Sequence, residues 1–144
     1  MDAFPHKYQV AARATGEGEV TLTTEGVEPL ASAAPVQFDG PGNRWSPEDL
    51  VVAAVADCFV LTFRAIAQHS GLAWTSLECS ATGTLDRVDR TTCFTAFAVT
   101  ATLEVPEGTD TEKAHKLLEK SEEYCLVTNS LKAEVTLNAK VTVS

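Results

Sequence analysis

The sequence is short of positive charge: eleven lysines and arginines stand against twenty aspartates and glutamates, a formal net charge of −9. A deficit of that size repels nucleic acid and anionic membrane surfaces, and no basic stripe overrides it. It suits small or neutral ligands. The chain also lacks paired cysteines. Its four, Cys58, Cys79, Cys93 and Cys125, show no Cys-x-x-Cys spacing and no histidine at finger-like intervals. That argues against a structural zinc site, and neither metal nor cofactor is expected. The start, Met1 to His6, has no basic n-region and no apolar h-region, so it does not read as a signal peptide. The longest apolar run, Leu50 to Phe63, is broken by Asp57 and Thr62 and is too short to span a bilayer. The expectation is a cytoplasmic protein that engages neither nucleic acid nor membrane. In that reducing setting any disulfide would be redox-active rather than a static brace.

What is present fits one domain over residues 1–144, with an ordinary 44% of hydrophobic residues. Residues 8–24 read as two short strands around Thr15-Gly16-Glu17-Gly18, with Val20-Thr21-Leu22-Thr23 alternating at period two. Between residues 25 and 45 glycine and proline mark loops, with an edge strand predicted at Val36-Gln37-Phe38. A long helix follows. Ser46 caps it, Pro47 takes the first helical position and Asp49 completes a capping box. From Leu50 to Ile66 nearly every residue is apolar or small, so the helix is expected to be buried on most of its circumference. Ser70-Gly71 ends it.

Residues 74–88 and 92–105 predict a hairpin turning through Asp86 to Thr91. Leu77, Cys79, Ala81, Gly83 and Leu85 share one inward face, and Cys93, Phe97, Val99, Ala101, Leu103 and Val105 the other. A second capping box, Thr109 to Glu112, opens a helix with Ala114, Leu117, Leu118, Ser121 and Cys125 at helical spacing. The last strand points Val135, Leu137, Ala139, Val141 and Val143 inward. Strands, buried helix, hairpin, helix and strand make an α+β order, with helices on one face of a largely antiparallel sheet. A helix so apolar all round is hard to bury in one small domain, which suggests packing against a second copy of the chain.

Cys79 and Cys93 lie too far apart in the hairpin register to bridge each other, and free cysteine is among the most buried residue types, so both read as core packing. Spacing alone gives Cys58 and Cys125 the same reading. Their surroundings add something. Ser46-Pro47-Glu48-Asp49-Leu50, the run Ala54-Val55-Ala56-Asp57-Cys58-Phe59 and the segment Cys125-Leu126-Val127-Thr128-Asn129-Ser130-Leu131 together resemble the OsmC/Ohr family of osmotically inducible and organic hydroperoxide resistance proteins. The family pattern is Asn-Pro-Glu-x-Leu, an alanine-rich helix ending in Ala-Cys-Phe, and later a Cys-Pro-Val-Ser-x-x-Leu-like segment. Both cysteine segments match in order and interval, and the likeness covers nearly the whole chain.

The resemblance implies an OsmC-like α+β fold with a long buried central helix, an intertwined homodimer, and a thiol-dependent peroxidase acting on organic hydroperoxides. Cys58 matches the peroxidatic cysteine, whose thiolate would attack the peroxide and become a sulfenic acid. Cys125 matches the resolving cysteine that would condense with it to a disulfide, which a dithiol or thiol-protein reductant would then restore. Glu48 matches the glutamate that orients an active-site arginine. In an unbroken helix Glu48 lies ten residues before Cys58, about 15 Å along the axis. Glu48 therefore serves the partner subunit's site, or the helix breaks, or Glu48 is only a first-turn acid. The family's arginine belongs near Thr15-Gly16-Glu17-Gly18, where this chain has none. Arg13, on the same strand face as Thr15, is the nearest candidate and Arg44 the second, whereas Arg64 points elsewhere round the helix. Leu126 stands where many members have proline. The displaced arginine motivates the alternative of a non-enzymatic hydrophobic-ligand binder or redox sensor on the same scaffold.

Overall fold

The computed structural model describes all 144 residues, which form two compact units, 1–50 and 51–144. In the first, β1 (Ala11–Arg13), β2 (Val20–Thr23) and β3 (Leu30–Ser32) make a three-stranded antiparallel sheet with Ala12 opposite Leu22 and Thr21 opposite Ala31. The Thr15 hydroxyl donates to the Glu17 carbonyl across the first turn at 2.9 Å. The predicted edge strand at Val36–Phe38 is instead a single 3-10 turn. The Pro35 carbonyl accepts from the N–H groups of both Phe38 and Gly40, and a Cβ on Gly40 would collide with the Ala34 carbonyl. That tight return leaves no extended backbone for a strand. The segment closes with the Ala33 N–H bonded to the Trp45 carbonyl.

Helix α1 (Pro47–Ser70) starts where the capping box predicts. The Ser46 hydroxyl accepts from the Asp49 N–H at 3.0 Å, and the Asp49 carboxylate accepts from the Ser46 N–H at 3.1 Å. It stops at Gly71, whose φ of +70° lets the Gly71 and Leu72 N–H groups return to the Gln68 and Ala67 carbonyls. Over its 24 residues α1 is long and apolar enough to cross a membrane by length and composition, a correction to the estimate from the shorter apolar run. Core helices pass that test too, and the stripe Val55, Phe59, Phe63 and Ala67 packs into this chain's own core. Burial of the helix all round does not hold within one chain. Only that four-residue stripe is fully buried, and Leu61 is half exposed.

In the second unit, β4 (Ser76–Val88) and β5 (Thr91–Val105) pair antiparallel, and β6 (Glu134–Val143) runs parallel to β5. Three of the four strand pairings are thus antiparallel. The parallel one needs a crossover, which α2 (Thr111–Glu123) and the short α3 (Leu126–Asn129) supply. Asp110 rather than Thr109 caps α2, accepting from the Lys113 N–H. The β4–β5 turn uses two residues, Asp89 and Arg90, both at positive φ, as the twist of a tight hairpin demands.

A bulge between Thr84 and Leu85 pairs Leu85 with Phe94 but Thr84 with Ala96. It flips the alternation of β5, so Phe94 packs beside Phe97 and Cys93 leaves the inward face assigned to it. Inward from β4 and β5, Leu77, Cys79, Ala81, Phe97, Val99, Ala101, Leu103 and Val105 line the core with Ala114, Leu117 and Leu118 of α2. Burying each large apolar side chain contributes about 1.5–3 kcal/mol. At Gly83 a Cβ would stand 2.8 Å from Val52 and 2.9 Å from Phe94, so glycine is what lets α1 approach the sheet there.

Candidate functional site

Cys58 lies on α1 between the buried Val55 and Phe59, and it is half-buried. Its Sγ stands 3.8 Å from the Thr62 hydroxyl, one turn on. Cys125 is not part of the preceding helix, as helical spacing suggested. It is the N-cap of α3, after α2 has ended at Tyr124, and it is 1% exposed. Its carbonyl accepts from the Thr128 hydroxyl at 3.1 Å and the Asn129 N–H at 3.0 Å, which pins the turn despite Leu126 at the next position.

The fold brings these two thiols together from opposite ends of the second unit. Burial pushes the Cys125 thiol up first. The Thr128 N–H and hydroxyl pull it back, while the nearby Cys58 thiol pushes it up again. No cation of the chain is among the groups that act on Cys125. Cys79, read from the sequence as core packing, belongs to the same neighbourhood: burial raises its thiol to about 11, and the charge of Cys125 adds to the rise. All four cysteines are free. Sequence reasoning missed Thr62 and Thr128. Their signal was spacing, since a hydroxyl four residues after a helical cysteine, or three after a capping one, comes round to the same side.

The other candidates lie in the first unit. Arg13 ends β1 opposite Thr21, exposed and without an ion pair. Arg44 is engaged: its guanidinium forks onto Glu19, Nε to Oε2 at 2.8 Å and Nη2 to Oε1 at 3.2 Å, which holds that carboxyl below its usual range. Glu48 sits in the first turn of α1. Because α1 is continuous from Pro47 to Ser70, a helix break between Glu48 and Cys58 is ruled out. The Glu48 Oε1 is buried and has no hydrogen-bond partner in the chain. A buried carboxylate oxygen left bare costs free energy.

The family model for OsmC-like protein matches residues 40–140, well over half of the chain and including both cysteine segments. Peroxiredoxin OsmC of Escherichia coli is 29% identical over 123 residues, 85% of either chain. Among solved structures, an OsmC-like protein of unknown function from Vibrio cholerae superposes with a TM-score of 0.84 at 19% identity, over 94% of this chain and 99% of its own. An organic hydroperoxide resistance protein OsmC from Legionella pneumophila gives 0.75 at 23% identity, over 97% and 99%. These structures share the α+β fold, and the family match settles the membership: this chain is a member of the OsmC family.

Proposed function

We propose that residues 1–144 act as one OsmC-like domain that reduces organic hydroperoxides through Cys58 and Cys125. The observation that carries the reading is the meeting of two free thiols, 67 residues apart, at one place in a buried fold. Cys58, the more accessible, attacks the peroxide oxygen, releases the alcohol and becomes a sulfenic acid. Cys125 then condenses with it, expelling water, and a dithiol reductant reopens the disulfide. Membership of a family that includes peroxiredoxin OsmC supports this.

The cation that favours the thiolate comes, in this proposal, from Arg13, which has no ion pair of its own, with Glu48 orienting it at a site shared by two copies of the chain. Two features support a homodimer: an apolar α1 buried along only one stripe, and a buried Glu48 oxygen with no donor of its own. Light scattering should return twice the single-chain mass; a monomer at working concentration would remove the shared site.

The decisive experiment measures consumption of tert-butyl hydroperoxide under dithiol reductant, with hydrogen peroxide alongside. Cys58→Ser should fall to the uncatalysed rate, and a serine variant with full activity would end the proposal. One observation favours a second reading, a hydrophobic-ligand binder or redox sensor: no arginine stands at residues 15–18, and Arg44, the second candidate, is committed to Glu19. That reading expects little turnover from the wild type itself.

A further inference from the structure

We propose that the Thr62 hydroxyl is a fixed donor to the Cys58 sulfur and favours its thiolate, a task that the reading above gives to an arginine alone. The bearing on turnover rests on the peroxidase reading; the bond from hydroxyl to sulfur does not.

A serine or threonine inside a helix has carbonyls three and four residues back within reach, and its hydroxyl commonly bonds to one of them. The buried hydroxyls of the next two helices do so. Ser121 donates to the Leu117 carbonyl at 2.6 Å, and Thr128 to the Cys125 carbonyl at 3.1 Å. Thr62 behaves differently. Its hydroxyl meets Cys58 Sγ, one turn earlier on α1, at 3.8 Å. Branching at Cβ leaves threonine few rotamers on a helix, so the hydroxyl is held on the sulfur side rather than swinging freely.

No other residue of α1 can take that place. One turn to either side of Cys58 stand Ala54, Val55, Leu61 and Thr62, and the first three offer only hydrocarbon. Asp57 is adjacent in sequence but exposed, about 100° round the helix. Arg13 and Arg44 belong to the other unit, and Arg44 is bound to Glu19. On the elements that share the core with α1, the titratable side chains are Cys79 of β4 and Cys125 at the start of α3. Burial raises both, so at neutral pH both are uncharged thiols.

Ionisation gives the contact a direction. A thiol can donate or accept, but a thiolate only accepts, so the hydroxyl must then donate. A donor that bonds the charged form favours it over the neutral one. Both side chains are half-buried, where the bond is stronger than in open water. The 3.8 Å separation belongs to the resting protein, and such contacts shorten when the acceptor becomes charged.

The test follows the pH dependence of Cys58 alkylation in the full chain. Limiting iodoacetamide is added across the neutral and alkaline range, and peptide mass spectrometry reads Cys58 apart from the other three cysteines. Thr62→Val keeps the side chain's shape and removes the donor. Its midpoint should lie about one pH unit above wild type, the loss of one hydrogen bond to a charged acceptor. Thr62→Ala should show the same rise, while Thr62→Ser, which keeps the hydroxyl, should return the wild-type midpoint. An unmoved midpoint in Thr62→Val and Thr62→Ala overturns the proposal. So does a Thr62→Ser midpoint as high as theirs, which would mark a role in packing alone. A parallel assay measures tert-butyl hydroperoxide consumption. There Thr62→Val should be about three- to tenfold slower at neutral pH, because fewer thiolates are partly offset by a stronger nucleophile. A raised midpoint in a protein whose wild type consumes no peroxide would uphold the donor role of Thr62 and end the peroxidase reading.

Discussion

The two units are held together by different physics. Every fully buried apolar side chain belongs to residues 51–144, from Val55 to Cys125, and none to residues 1–50. The first unit instead has short strands, turns closed by side-chain hydrogen bonds, the Arg44–Glu19 pair, and exposed Phe4, Tyr8, Val36, Phe38 and Trp45. The thiols fall in the core-bearing unit, while Arg13 and Glu48 fall in the coreless one. A nucleophile that must meet its resolving partner benefits from a rigid, buried frame. If a second copy of the chain completes the site, as proposed above, Arg13 and Glu48 do not need a core of their own, and the exposed apolar surface around them is what such a copy would cover.

This contrast is open to direct attack. The largest effect is expected at Phe59, which is 1% exposed at the centre of the α1 stripe. Phe59→Ala should cost about 3–5 kcal/mol, seen as a lower denaturation midpoint in urea at unchanged slope. A loss under about 1 kcal/mol would mean that the second unit is not held by its core. In the first unit the corresponding change is Ser46→Ala. It leaves the Asp49 N–H without its acceptor at the start of α1 and should cost about 0.5–2 kcal/mol in the same measurement. A cost equal to that of Phe59→Ala would erase the distinction between the units.

A pH dependence is expected from the buried thiols of the second unit. Burial raises the folded Cys79 thiol to about 11, against about 8.5 for a thiol in the unfolded chain. Between those values the native chain holds a proton that the unfolded chain has lost. The contribution of Cys79 is therefore fully present below the unfolded value and lost as pH rises through the folded one. Cys125, also raised by burial, adds in the same direction. Urea midpoints should fall as pH climbs through this window, and Cys79→Ala should flatten part of that fall. A midpoint that rises with pH there would contradict the buried placement.

Much of this was legible in the sequence. The capping box at Ser46 and Asp49, the Ser70-Gly71 stop, the hairpin and the alternation of β6 all follow from short-range rules, because caps, turns and alternation are decided within a few residues. The expectation failed where alternation and hydropathy alone are blind. Val36-Gln37-Phe38 alternates like a strand, but Pro35 and Gly40 fold it into a turn. Cys93 was placed inward because a one-residue bulge cannot be seen in periodicity, yet it reverses every side chain beyond it. The burial of α1 was overestimated because hydropathy counts apolar residues without asking how many faces one chain can cover.

The site divides in the same way. The sequence alone determined where α1 begins and ends, that Cys58 lies on its apolar run, and, by resemblance, that Cys58 and Cys125 belong together. Only the tertiary structure decided that Cys125 caps a new helix, that Arg44 is committed to Glu19, that a Glu48 oxygen is buried without a donor, and that Cys79 joins the neighbourhood of the other two thiols. The physical reason is range. Caps and helix ends are settled by bonds among neighbours in the chain, whereas the meeting of residues 58 and 125 depends on how a helix and a crossover stack on one sheet.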